Sequence, residues 1–165
     1  MTAKSTLYAL GTCLLVTTVA GGTVVPSWFE ARTTGVATLT LRGTAEFGTV
    51  AGPGASGPFV VTLGARSPSG AVIFTGRSGE RPEPGVYRIS DGKAGPMQAL
   101  VVTGPVDRPH GVFKARSGTL TISRSREDFI AGTFALDAVG FEAADPADES
   151  KSLRVRGTFT ATPSH

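Results

Sequence analysis

The sequence has no asparagine, one cysteine (Cys13), one tryptophan (Trp28) and two histidines, His110 and His165. Without asparagine there is no acceptor for N-glycosylation. A lone cysteine excludes an intrachain disulfide, so stability has to come from packing. Zinc sites take three or four His, Cys or carboxylate ligands, and two histidines with one thiol leave little to build one. Lysine is scarce as well, at four residues against twelve arginines, and the net charge of +3 falls to +2 once Lys4 is discounted. So small an excess does not point to nucleic acid.

Chemical motifs are equally sparse. No Gly-x-Ser-x-Gly elbow occurs, so Asp107 and His110 with a serine do not make a recognisable triad, and a polar loop accounts for both. The segment Gly52-Pro53-Gly54-Ala55-Ser56-Gly57-Pro58 lacks the Gly-Lys-Ser/Thr ending of a phosphate loop and reads as a connector. Glu80 and Glu83 stand in a turn beside Pro82 and Pro84, where solvated carboxylates are the ordinary outcome rather than a glycosidase pair. The sequence therefore implies no catalytic residues, no cofactor and no enzyme.

What is present begins with a single cation, Lys4, followed by an apolar stretch from Leu7 to Ala20 that relaxes into Val19-Ala20-Gly21-Gly22. That order predicts a cleavable secretion signal helix over residues 1–26, with export to the periplasm or the medium. Two alternatives involve the membrane. Leu7 to Val25 is long enough for an uncleaved anchor, although Thr12, Thr17, Thr18, Gly21 and Gly22 dilute it. Leu10-Gly11-Thr12-Cys13 can also be compared with a lipoprotein box, but the cysteine lies inside the apolar run and not at its end. Residues 27–165 remain, about 140 residues, the size of one domain with one core.

Across that domain glycine and proline recur every eight to fifteen residues, separating short runs rich in Val, Ile, Phe, Leu and Thr. Such punctuation predicts an all-β fold. The clearest strand is Leu153 to Ala161, where Leu153, Val155, Gly157, Phe159 and Ala161 alternate with Arg154, Arg156, Thr158 and Thr160. Further strands are predicted at Val36–Arg42, Phe59–Leu63, Ala71–Thr75, Val86–Ser90, Met97–Thr103, Val112–Arg116, Thr119–Arg124 and Phe129–Ala138, with a turn at Ser117-Gly118. The expected architecture is an antiparallel β-sandwich of about nine strands, with a closed antiparallel barrel as the alternative.

A short echo runs through these strands: Gly43-Thr44, Gly118-Thr119, Gly132-Thr133-Phe134 and Gly157-Thr158-Phe159. Its irregular spacing excludes a solenoid or propeller and suggests a shared strand grammar, with glycine at a bend and threonine facing solvent. The segment Gly132-Thr133-Phe134-Ala135-Leu136, followed by Leu153-Arg154-Val155-Arg156-Gly157-Thr158-Phe159, resembles the C-terminal strand pair of bacterial exported β-domain proteins of unknown function. The resemblance covers about a quarter of the chain. It implies an extracytoplasmic, sandwich-like domain and carries no functional residues with it.

Two clusters qualify as candidate sites. Asp137, Glu142, Asp145, Asp148 and Glu149 gather oxygen ligands suited to calcium, though without EF-hand spacing and with Pro146 in what reads as an acidic hairpin loop. Lys114, Arg116, Arg124 and Arg126 flank one predicted hairpin, and Arg154 and Arg156 lie on the outer face of the last strand. If these strands are neighbours they make a cationic patch able to bind anionic polysaccharide or lipid A phosphate; otherwise the charges guard a solvated sheet face. Three roles follow: a non-catalytic structural or interaction module binding an envelope glycan or another envelope protein, a small-ligand carrier with a hollow barrel, and a hydrolase. A filled interior favours the first and a hollow one the second.

Overall fold

A computed structural model describes residues 25–52, 55–91, 95–142 and 145–164, with the backbone alone at 51, 52, 55, 56, 142 and 145–150. Residues 1–24 of the expected signal, with Lys4 and Cys13, lie outside the described residues. Ten strands and no helix fill the remainder. They are β1 (Trp28–Gly35), β2 (Thr40–Gly43), β3 (Ala45–Gly52), β4 (Ala55–Leu63), β5 (Gly70–Gly76), β6 (Gly85–Ser90), β7 (Met97–Thr103), β8 (Gly111–Ser125), β9 (Ile130–Glu142) and β10 (Asp145–Pro163). The all-β class is as expected, but all ten strands belong to one mixed sheet, whereas a sandwich has two.

Most neighbours are antiparallel; the exceptions are two short parallel contacts, β10 with β3 at Thr162–Pro163 and β6 with β7 at Ile89–Met97. Strand β10 is the hub. Its residues 153–160 lie between β1 and β9, and its last residues reach β3. A path of pairings consequently runs from β3 through β4, β5, β7, β8, β9 and β10 back to β3. Strand β2 lies outside this path as the partner of β1, and its free edge is tied down by the loop before β5. Ser67 Oγ donates to the Arg42 carbonyl at 2.7 Å, and the Gly64 amide donates to the Thr44 carbonyl at 2.7 Å.

The inward positions of the alternating strands form one buried cluster that includes Phe29, Leu41, Phe47, Phe59, Leu63, Phe74, Leu120, Phe134, Leu153, Val155 and Phe159. Its centre explains the Gly-Thr-Phe echo. Strands β9 and β10 are antiparallel and place Gly132 opposite Phe159, Thr133 opposite Thr158, and Phe134 opposite Gly157. The motif thus pairs with its own copy, each phenyl facing a glycine, while both threonines are exposed. A Cβ on Gly157 would stand 2.6 Å from the Glu30 carbonyl oxygen and 2.7 Å from Phe134 Cζ, and one on Gly132 would collide with the Thr121 carbonyl oxygen and stand 3.2 Å from Phe159 Cε1. The glycines admit both the rings and the close approach of the flanking backbone, β1 at Gly157 and β8 at Gly132. Phe134 in turn packs edge-on to Phe74 with centroids 5.3 Å apart, and tilts against Phe159 at 6.4 Å, joining β5, β9 and β10.

Several expected boundaries change: the strand expected at Val36–Arg42 is reduced to β2, with residues 36–39 in the turn after β1, and β4 takes in residues 55–58 of the expected connector. Ser117-Gly118 is not a turn: β8 runs through it with a register shift between Ala115 and Ser117, and Gly118 has φ +150°. An extra residue in an otherwise paired strand produces a bulge, and here glycine meets its backbone requirement. The supposed acidic loop is shorter than expected, because β9 extends to Glu142 and β10 starts at Asp145, with register shifts at Asp148 and Ser152.

Adding a methyl group beside a fixed phenyl overpacks the interior. Gly157→Ala is expected to cost about 1–3 kcal/mol, read as a lower urea midpoint at unchanged slope. The same substitution at exposed Gly85, where a Cβ would meet only Tyr87 Cε2 at 4.0 Å, is expected to leave the midpoint almost unaltered.

Candidate functional site

One solvent-facing surface is the outer side of the sheet across β2, β1, β10, β9 and β8. Inward residues Phe29, Ala31 and Thr33 fix the alternation of β1 and send Trp28, Glu30, Arg32 and Thr34 outward. On β10 the same alternation sends Arg154, Arg156 and Thr158 outward. Strand register then aligns rows across the face. Thr40, Arg32, Arg156, Ala135 and Thr119 make one row; Arg42, Glu30, Thr158, Thr133 and Thr121 make the next; Thr34, Arg154, Asp137 and Ser117 flank them on the other side.

In the first row two arginines oppose each other directly, Arg32 on β1 and Arg156 on β10. Directly opposed residues in an antiparallel pair have Cβ atoms about 4.5–5.5 Å apart, and like charges there repel. Neighbouring charges are already engaged. Arg42 Nη2 lies 3.2 Å from Glu30 Oε1, and Arg154 Nε lies 3.2 Å from Asp137 Oδ1. Among the described residues Arg32 and Arg156 have no acidic partner. The groove over this row has a volume of about 590 Å³ and is lined by Trp28, Glu30, Arg32, Arg154, Arg156 and Thr158. At one end Trp28 is 44 % exposed, a large apolar ring in solvent.

The cationic residues named from the sequence are therefore only partly assembled. Arg154 and Arg156 share the groove, whereas Lys114, Arg116 and Arg124 follow one another along the single strand β8. Arg116 stands at the bulge and is itself engaged, and Arg124 lies opposite Ala131, beyond the threonine rows. Arg126 folds over the Phe129 ring, with its guanidinium carbon 5.7 Å from the centroid, in the β8–β9 turn. Sequence reading missed Arg32, Glu30 and Trp28, because β1 buries Ala31 and Thr33 where a strong strand signal shows Val or Ile.

Of the acidic cluster only the Asp137 side chain is among the described residues. Asp137 faces outward and pairs with Arg154, and the side chains of Glu142, Asp145, Asp148 and Glu149 lie outside the described residues. Among the described residues no group of three His, Cys, Asp or Glu converges as a metal site. Glu80 and Glu83 border a groove on the loop before β6, both exposed, and Tyr87 Oη donates to the Glu83 carbonyl rather than to a carboxylate. Asp107 and His110 occupy the β7–β8 loop, both exposed. Comparison with protein-family models, with curated proteins and with solved structures finds no match.

Removing one member of an opposed like-charge pair relieves repulsion. Arg32→Thr is expected to raise stability by about 0.2–1 kcal/mol at low salt. The gain should shrink as the screening length falls from about 10 Å at 0.1 M to about 3 Å at 1 M salt, and thermal melts across that range check it.

Proposed function

We propose that this chain is an exported, non-catalytic binding module that holds an anionic polysaccharide of the cell envelope on its outer sheet face. In this reading the circuit of strand pairings is a closed barrel, the alternative to a sandwich, and its own side chains fill it. The buried cluster around Phe74, Phe134 and Phe159 favours an external site over a ligand carried inside.

The observation that carries the proposal is the opposition of Arg32 and Arg156, without acidic partners among the described residues, in a groove that also contains Arg154 and the exposed face of Trp28. Guanidinium groups fork two parallel N–H donors onto one carboxylate or sulfate, so an acidic sugar bridging the pair converts repulsion into two charge-assisted contacts. The indole supplies a flat apolar surface for a neighbouring sugar ring, and Thr158 and Thr34 supply hydroxyls along the groove. Both register and chemistry favour a chain of spaced anions over an isolated ion. Successive outward residues on a strand are about 6.8 Å apart, which separates Arg156 from Arg154 in the direction of β10.

Polygalacturonate is the probe, with neutral dextran as the control. Each of Arg32→Ser and Arg156→Ser should weaken polygalacturonate binding about ten- to hundredfold, as expected for loss of a charged hydrogen bond worth about 1.5–3 kcal/mol. Arg124→Ser, outside the groove, should leave it unchanged. Calorimetry showing equal affinity for all three variants, or equal binding of dextran, overturns the assignment.

A further inference from the structure

The outer groove is not uniformly cationic. Its outward positions on β1 follow one another as Trp28, Glu30, Arg32 and Thr34, and β10 runs beside them with Thr158 opposite Glu30, Arg156 opposite Arg32 and Arg154 opposite Thr34. The three arginines therefore share one end, Trp28 stands at the other, and Glu30 lies between. Trp28 and Arg32 are four residues apart on one strand, about 14 Å. A ring stacked on the indole and an anion bridging the arginines thus belong to different units of a chain lying along the groove.

Glu30 is the one acidic residue lining the groove among the described residues. Buried Phe29 and Ala31 on either side of it fix its outward direction, and Arg42 Nη2 holds its Oε1 at 3.2 Å. Arg42 lies on β2, on the side of β1 away from β10, and does not line the groove. The ion pair positions the carboxylate without covering it, since the Glu30 side chain is 40 % exposed and its Oε2 has no partner among the described residues. A carboxylate only accepts hydrogen bonds. It takes a hydroxyl from a neutral sugar and repels another carboxylate. One outward step along β1, about 6.8 Å, thus separates a position that attracts an anion from one that rejects it.

We propose that Glu30 makes the groove selective for a chain that mixes acidic with neutral sugars over one that carries a carboxylate on every unit. The inference rests on the arginine site proposed above and names the polymer class that fits it. An acidic unit bridges Arg32 and Arg156, a neutral unit gives a hydroxyl to Glu30, and a further ring lies on Trp28. A uniform polyuronate fills the arginine position equally well, but it brings a carboxylate beside Glu30.

The probes are polygalacturonate, acidic at every unit, and hyaluronan, in which glucuronate alternates with N-acetylglucosamine, each titrated calorimetrically into the protein at equal uronate concentration. Hyaluronan is expected to bind about threefold tighter, the size of one exposed charge contact. The double variant Glu30→Gln/Arg42→Gln removes one charge of each sign and leaves the net charge of the face unaltered. It should bind the two polymers equally, through a gain for polygalacturonate. Should it fail to fold, Glu30→Gln alone decides by the same comparison. Equal affinity of the unaltered protein for both polymers, or a preference for hyaluronan that survives removal of the Glu30 charge, overturns the role of Glu30 and leaves the arginine site standing. Binding of neither polymer overturns the arginine site and this inference with it.

Discussion

Two phenyl rings, each lying over the glycine of the facing strand, hold β9 against β10, and the remaining architecture depends on that contact. Phe134 over Gly157 and Phe159 over Gly132 interlock in an antiparallel register that a one-residue slip would destroy, since slippage sends every inward side chain outward. Through Phe74 the same rings reach β5 on the far side of the buried cluster. With no disulfide available from a lone cysteine, this packing and the strand ladders around it are what the fold has to rely on.

The clasp also sets the outer surface. Because Thr133 faces Thr158 between the two Gly/Phe pairs, the neighbouring outward row is bound to place Arg156 beside Ala135, and β1 then brings Arg32 against Arg156. A groove of charge on one side is thus the reverse face of a packed core on the other. The inward face of the sheet is taken up by one buried apolar cluster, and the charged and hydroxyl side chains of the groove stand on the outer face.

Much of this was legible in the sequence, for physical reasons that differ from strand to strand. β7 was found over Met97–Thr103 with its bounds intact, and the strong alternation of Leu153 to Ala161 marked the middle of β10. β1 and β3 escaped because a single large apolar residue marks the inward face of each, Phe29 beside Ala31 and Thr33 in one, Phe47 beside Ala45 in the other. Ser117-Gly118 looked like a turn because glycine serves bulges and turns alike. Of the candidate site, Arg154 and Arg156 were visible as the polar face of one strand. Arg32 was not, since a cross-strand neighbour is decided by register, and register is decided by distant contacts such as the Phe134–Gly157 pair. The Gly-Thr echo was seen, but its meaning, that the motif faces its own copy, required the pairing.

An anionic chain bound in the outer groove lies beside Trp28, and the molecule carries its own reporter there, because Trp28 is its only tryptophan. The direct measurement is Trp28 fluorescence during titration with polygalacturonate. The account predicts a saturable change in emission that weakens steadily as salt is raised; emission that stays constant while the polymer binds would place the ligand elsewhere and contradict it.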